Sequence, residues 1–297
     1  MTNFRQLALI GATASGKTSL AVKIAHKMDA HILSLDSLSI YKEIDIVSAK
    51  PTEGERDGIV HFGIDLLSPD EVFDVTTFIK LYQDLCKRCL KEQKNLVIVG
   101  GTSFYLKMLL EGVSELPVLS KEAKMRSHRQ MHTPKEVYET LMQLDPDYMR
   151  QIERGDTYRI EKALQIYLAT NEIPSVYFKK YPPVPVITEP LPVYEIIWDR
   201  TELRERIAKR TQKMVDEGLI DEIIYLEKTY TRAPNCMKAI GIKETLMYLD
   251  GIYDKKMLIE KIAINTGRLA KRQTTFNNSQ FGNIIKGTIG ELEKLLL

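Results

Sequence analysis

Hydrophobic positions in the first third of the chain come in short, nearly unbroken runs, each closed by glycine or a small polar residue. Leu7-Ala8-Leu9-Ile10 ends at Gly11, His31-Ile32-Leu33-Ser34-Leu35 ends at Asp36-Ser37, and Leu96-Val97-Ile98-Val99 ends at Gly100-Gly101-Thr102. Apolar runs of this length without alternation predict strands buried on both faces, and hence a parallel sheet. Between them the spacing turns helical. Leu20, Ile24 and Met28 share one face after the first run, and Leu81 to Gln93 reads as a helix before the third. Strands alternating with helices predict an α/β fold with a parallel sheet covered on both faces.

The pattern changes near Leu116-Pro117. From there to about Tyr177 it is helical and charged, with no convincing strand. A stretch from Tyr181-Pro182-Pro183-Val184-Pro185 through Pro190 and Pro192 is stiff and extended. A strand resumes at Val193 to Trp198, and helices are predicted over Thr201 to Glu217, Ile220 to Lys228 and Lys255 to Thr275. The economical organisation is one α/β core, residues 1–115 and 188–297, carrying a helical insertion over 116–187.

Composition adds limits. Lys and Arg number 42 against 40 Asp and Glu, so the net charge of +2 does not by itself announce a nucleic-acid partner. Its distribution says more. Arg204, Arg206, Lys209, Arg210 and Lys213 face the single acid Glu205, and Lys261, Arg268, Lys271 and Arg272 fall in a stretch with no acid. Local basic stripes matter more to a phosphate backbone than the sum does. No apolar run approaches the length of a membrane span. The opening Met1 to Gln6 leads too abruptly into a glycine-interrupted run for a signal peptide, so a cytoplasmic protein is expected. Three cysteines fit a reducing compartment, and Cys86 and Cys89 read as packing residues of a helix, since no second ligand pair for zinc lies nearby.

The most specific signal is Gly11-Ala12-Thr13-Ala14-Ser15-Gly16-Lys17-Thr18, a complete G-x-x-x-x-G-K-T between a buried strand and an amphipathic helix. Such a loop cradles phosphate oxygens with its backbone N–H groups. Lys17 supplies a point charge, the helix a positive N-terminal end, and the Thr18 hydroxyl a ligand for Mg²⁺. A P-loop core is therefore expected, although the motif alone does not say which phosphates or which reaction. Hydrolytic P-loop enzymes hold their metal with an acid at the end of a second apolar strand. Here Leu96 to Val99 ends in Gly-Gly-Thr, and the acid follows the other strand as Asp36. That favours group transfer to an acceptor beside the loop over an ATP-driven motor. In most P-loop topologies the Asp36 strand lies next to the P-loop strand, at the sheet edge where ligands bind. There a carboxylate can take a proton from an acceptor, or simply cap a turn.

The order of short strings resembles one family along nearly the whole chain. Beyond the loop and Ser34-Leu35-Asp36-Ser37, they are Ile40-Tyr41 with Ala49-Lys50-Pro51, Val99 to Tyr105, Gly155 to Leu164, Arg204 to Leu219, Ala239 to Glu244 and Leu269 to Thr275. Together they are similar to the tRNA dimethylallyltransferases. The resemblance implies that dimethylallyl diphosphate sits in the loop with Mg²⁺ at Thr18. The exocyclic amine of the adenosine 3′ of the anticodon would attack the allylic carbon, in tRNAs reading codons that begin with U. Asp36 would accept the amine proton, and Thr102 would hydrogen-bond the base. Contacts to the tRNA anticodon stem-loop are implied for Asp36, Ser37, Leu38, Ser39, Lys124, Tyr158, Arg159, Lys162, Lys238, Lys243 and Arg272, on a monomer. An adenosine stacked in that loop must be turned out to reach a pocket.

Three positions depart from the family pattern. Ala12 replaces a proline, Ile242 replaces a tyrosine and so removes one aromatic stack, and Phe276-Asn277-Asn278 keeps an aromatic but loses a cation. The rival readings are a small-molecule P-loop kinase, an adenylate isopentenyltransferase using a free nucleotide, and a nucleotide-regulated RNA-binding protein without catalysis.

Overall fold

Residues 4–297 are described by the computed structural model, so the part of the N-terminal reading that rests on Met1 to Asn3 falls outside the described residues. The chain forms two units. One holds the chain up to Leu110 together with Ile187–Leu297, and the other is Glu111–Val186. In the first unit β1 (Gln6–Gly11) leads through the glycine loop into α1 (Lys17–Met28). Then come β2 (Ala30–Leu35), the short α2 (Glu53–Arg56), β3 (His61–Phe62), α3 (Val75–Glu92), β4 (Asn95–Gly100) and α4 (Ser103–Glu111). The second unit carries α5 (Lys121–Gln130), α6 (Pro134–Leu144), α7 (Pro146–Met149), α8 (Thr157–Thr170) and α9 (Pro174–Lys180). The first unit resumes with β5 (Val193–Ile196), α10 (Arg200–Asp216) and α11 (Leu219–Tyr230). A 3-10 turn at Asn235–Lys238 precedes α12 (Ile242–Leu249), α13 (Lys255–Gln280), β6 (Ile285–Gly287) and α14 (Ile289–Leu296).

All six strands are parallel, in the order β3-β2-β4-β1-β5-β6. Leu7 to Ile10, Ile32, Leu33 and Leu96 to Ile98 are almost completely buried, as strands covered on both faces must be. The helix starts obey capping chemistry. Asp74 accepts from Thr77 N–H at 2.8 Å to begin α3, Asp199 from Thr201 N–H at 2.7 Å to begin α10, and Asp254 from Met257 N–H at 2.7 Å to begin α13. Asp74 marks why α3 starts six residues before the apolar stretch at Leu81. Cys86 and Cys89 both lie on α3, where burial pushes the Cys89 thiol up to about 11 and so keeps it protonated.

One expectation is corrected. The strand that ends at Asp36 is not the neighbour of the P-loop strand, because β4 lies between β2 and β1. Close approach makes that arrangement possible. A Cβ on Gly100, the last residue of β4, would lie 2.4 Å from the Leu35 carbonyl oxygen, so only glycine lets β4 end against β2. Thr102 N–H then donates to that carbonyl at 3.0 Å. The short edge strands β3 and β6 escaped the hydropathy pattern, since two or three residues give no periodicity to read.

The second unit has its own core of Val137, Tyr138, Leu141, Met149, Ile152, Ile160, Ala163 and Leu164 from α6 to α8. An antiparallel bridge between Val113 and Val184 closes its two ends. Gly100→Ala should cost about 1–3 kcal/mol through this forced overlap, measured as a lower urea midpoint at unchanged slope. An unchanged midpoint would show that the β4–β2 junction tolerates a side chain.

Candidate active site

The glycine loop is defined by what its carbonyls do. Lys17 Nζ donates to Gly11 O at 3.0 Å and Ala12 O at 2.7 Å, Arg206 Nε to Ala14 O at 2.9 Å, and Trp198 Nε1 to Ser15 O at 3.0 Å. With four carbonyls claimed from behind, the loop is held in the shape that presents amides to an anion. Gly11 at φ 147° and Gly16 at φ 84° supply the backbone states that this path needs, and Ala14 adopts φ 64° as well. Not every loop amide is free for a phosphate. Thr13 N–H donates to Gln273 Oε1 of α13 at 2.9 Å. Trp198 follows β5, and the Arg206 guanidinium stacks on its indole at 4.4 Å, so the end of β5 and α10 brace the loop together.

Asp36 follows β2 and serves two ends. Its Oδ1 accepts from Leu38 N–H at 2.8 Å and Ser39 N–H at 3.0 Å, which closes a tight turn. Its Oδ2 has no hydrogen bond among the described residues, and the residue lines a cavity of about 220 Å³ with Thr13, Lys17, Thr18, Gly101 and Thr102. Ser37 is exposed at this rim, Leu38 is half-buried, and Ser39 is turned inward with its hydroxyl 3.1 Å from that of Ser34. Beyond the turn, the segment 45–50 is fixed by two devices. Glu222 of α11 accepts from three consecutive amides, Asp45, Ile46 and Val47, at 2.7–3.0 Å. Lys50, whose side chain is 5% exposed, donates to Tyr41 O and pairs with Asp45 and Asp65 at 2.5–2.6 Å.

Arg210 is the residue that sequence reading placed in a basic stripe without giving it a role. It lies at the loop, its Nη1 3.4 Å from Thr13 Oγ1, and lines three neighbouring cavities. One of these, about 670 Å³, collects Lys17, Lys50, Arg206, Lys209, Arg210 and Lys213 against Asp45, Glu55 and Glu217. The next, about 480 Å³, is apolar as well as polar, with Asp36 beside Tyr41, Phe73, Tyr105, Met214 and Leu269. Burial first, and the nearby Arg210 second, pull the Lys17 ammonium down to about 7 against the opposing charge of Asp36. Burial lowers Arg210 too, again opposed by Asp36. The cluster is thus short of negative charge, which an anionic ligand would supply. The Thr18 hydroxyl is exposed at the start of α1, and no trio of His, Cys, Asp or Glu that could hold a metal occurs among the described residues. This donor set fits a hard cation carried mainly by ligand oxygens and water, with Thr18 as the protein's contribution.

Of the remaining predicted contact residues, Lys238 is exposed at the rim of the 480 Å³ cavity, Lys243 is exposed on α12 and Arg272 on α13. Ile242 is fully buried in the core with Leu219, Ile223 and Leu258, so this position packs rather than stacks on a base. Glu244, 4% exposed, caps α12 through Gly241 N–H at 2.7 Å and accepts from Asn265 at 2.6 Å. In the second unit Tyr158 is 66% exposed, Lys162 lies 5.5 Å over its ring, Arg159 pairs loosely with Asp156, and Lys124 is exposed on α5. Phe276 is half-buried against Phe281, and Asn277 is completely buried, donating to Glu195 at 2.7 Å.

Residues 39–280 match the family model described as IPP transferase. The tRNA dimethylallyltransferase of Sulfurovum sp. (strain NBC37-1) is 64% identical over 293 residues, 99% of this chain and 97% of that protein. The crystal structure of the tRNA isopentenylpyrophosphate transferase from Bacillus halodurans superposes with a TM-score of 0.70 at 26% identity, covering 98% of this chain and 95% of that one. A eukaryotic dimethylallyltransferase solved acting on tRNA shares the fold with a TM-score of 0.82 at 23% identity, over 96% of this chain and 74% of that one.

The lowered Lys17 sets a pH signature. Above pH 7 the free protein loses this proton, while a bound diphosphate favours the charged form, so binding must then take up a proton and weaken with pH. Inorganic pyrophosphate should bind up to about tenfold more weakly per pH unit above 7, with proton uptake visible by calorimetry in two buffers. Affinity that stays flat from pH 6.5 to 9 would remove Lys17 from the binding set.

Proposed function

The chain belongs to the IPP transferase family, and we propose that it transfers a dimethylallyl group from dimethylallyl diphosphate to the exocyclic amine of the adenosine 3′ of a tRNA anticodon. The observation that carries this reading is one cavity lined both by the phosphate loop and by Asp36 and Thr102. Donor and acceptor chemistry meet there, and no acid follows β4 to drive hydrolysis.

On this reading the diphosphate lies against the amides of the loop, Lys17 and Arg210, and the allylic chain lies toward the apolar wall of Tyr41, Phe73 and Met214. The amine nitrogen bonds to the allylic carbon as that carbon's bond to the bridging oxygen breaks, and diphosphate departs with the electron pair. Negative charge grows on oxygens that the loop and its cations already face, so the transition state gains more than the ground state. The proton leaves the amine for Oδ2 of Asp36, the oxygen that the turn does not use. Thr102, held by its own amide to Leu35, orients the base. Mg²⁺ held at Thr18 would neutralise charge on the leaving diphosphate. Exposed Lys238, Lys243 and Arg272, and the Tyr158-Arg159-Lys162 face with Lys124, suit an RNA backbone and an unstacked loop. No helix among the described residues is long and apolar enough to cross a membrane.

Radiolabelled dimethylallyl diphosphate with Mg²⁺ and either unmodified tRNA or free AMP separates the alternatives. Label should reach tRNA and not AMP. Transfer to AMP alone would favour the free-nucleotide reading, and transfer to neither would sink both. Asp36→Asn keeps an acceptor for Leu38 and Ser39 but removes the base. It should cost about 10²–10⁴-fold in kcat with donor KM within a few-fold. A variant within threefold of the parent would dismiss Asp36 as the proton acceptor.

A further inference from the structure

The donor loop and the acceptor acid stand on strands separated by β4, and a continuous set of hydrogen bonds crosses that gap. Leu35 O, one residue before Asp36, accepts from Thr102 N–H at 3.0 Å. The preceding carbonyl, Gly101 O, accepts from Gln273 Nε2 at 3.0 Å, and Gln273 Oε1 accepts from Thr13 N–H at 2.9 Å. Everything in this path is main chain except one primary amide. It carries a donor and an acceptor on the same planar group, so it joins the two loops only in one orientation.

Resting on the transfer reading above, we propose that Gln273 is the positioning residue that sets the distance between the diphosphate loop and the Thr102–Asp36 acceptor edge. Three further observations support it. A Cβ on Gly101 would lie 2.5 Å from Gln273 Nε2, so a residue with no side chain is what admits the amide. Gln273 is anchored from its own helix, because Asn277, one turn on, is buried and bonded to Glu195 of β5. The tie also spends a phosphate-loop amide on the protein rather than on the ligand, which a loop built for binding alone would not need. Gln273 touches neither reacting atom in this scheme. It fixes where they meet, and an error of about 1 Å in such a placement costs on the order of 100-fold in rate.

The test uses the full chain with Gln273→Ala, Gly101→Ala and both changes together. Gly101 has no positive φ, so its alanine changes only the space that the amide fills. Each single variant should lose about 10–100-fold in kcat, with pyrophosphate affinity and tRNA KM within threefold, and the double variant should lose no more than the worse single one. A folded single variant with kcat within threefold of the parent, a loss confined to pyrophosphate binding or tRNA KM, or losses that multiply in the double variant would each overturn the proposal. Amide hydrogen exchange gives an arm independent of transfer. Thr13 N–H should be protected in the parent and exchange at least tenfold faster in Gln273→Ala, and an unprotected Thr13 amide in the parent would overturn the tie. If the parent transfers no label, the transfer reading fails while exchange still judges the tie.

Discussion

A loop that offers its amides to an anion has to dispose of its carbonyls, and the rest of this molecule is arranged around that requirement. Amides converge only if the carbonyls between them point the other way, into protein, where each must find a donor. Lys17 covers two of them, Arg206 a third and Trp198 a fourth. Lys17 belongs to the motif, but Trp198 and Arg206 come from nearly two hundred residues further along. The eight-residue loop is therefore complete only when β5 has added to the sheet beside β1 and α10 has packed over it. That is a physical reason why the C-terminal part must return to the core after the second unit has been made.

Holding the loop this way has an electrostatic consequence. Lys17, Arg206, Lys209, Arg210 and Lys213 crowd one cavity, and the downward pull on Lys17 and Arg210 reports desolvation first and, for Lys17, the charge of Arg210 beside it. Asp36 is the acid that offsets it for those two groups. On the proposed reading a bound diphosphate would supply the opposite charge that these desolvated cations lack. The same carboxylate, once it takes a proton, weakens its hold on both cations at the moment when the leaving diphosphate needs them most. On the proposed reading, proton transfer and charge development are thereby coupled through two named side chains.

Much of this was readable from the chain, and the failures have physical causes. The strands β1 and β4 announced themselves as unbroken apolar runs, and β2 and β5 as runs that are mostly apolar, because strands covered on both faces are rich in apolar residues. The loop motif named its own role, and Asp36 stood out because an acid follows β2 where Gly-Gly-Thr follows β4. Strand order did not emerge, since pairing is non-local and β3 and β6 are too short to carry a pattern. Arg210 was visible only as one of several basic residues, because a stripe tells charge but not which member turns inward. Ile242 illustrates the converse. Resemblance suggested a missing base stack there, yet the residue faces the core, so its side chain answers to packing. Gln273 lay inside one of the strings that carry the resemblance but had no role there, because a single glutamine in a long helix looks like any solvated position until two loops from the other end of the sequence close on it.

The sheet order explains why the acid belongs after β2. Neighbouring strands lie about 4.8 Å apart, so the tips of β1 and β2 are roughly 10 Å apart with β4 between them. An acid after β4 would reach a metal on the phosphates, which suits hydrolysis. On the proposed reading, an acid one strand further out leaves the gap in which an allylic carbon and an incoming amine meet between phosphate and carboxylate. The gap stays clear because β4 ends on one glycine and is followed by another, the first forced by Leu35 O and the second by the Gln273 amide. What looked in the sequence like the absence of an acid is in the fold a space kept open, and its width follows from backbone contacts on one side and a single amide on the other.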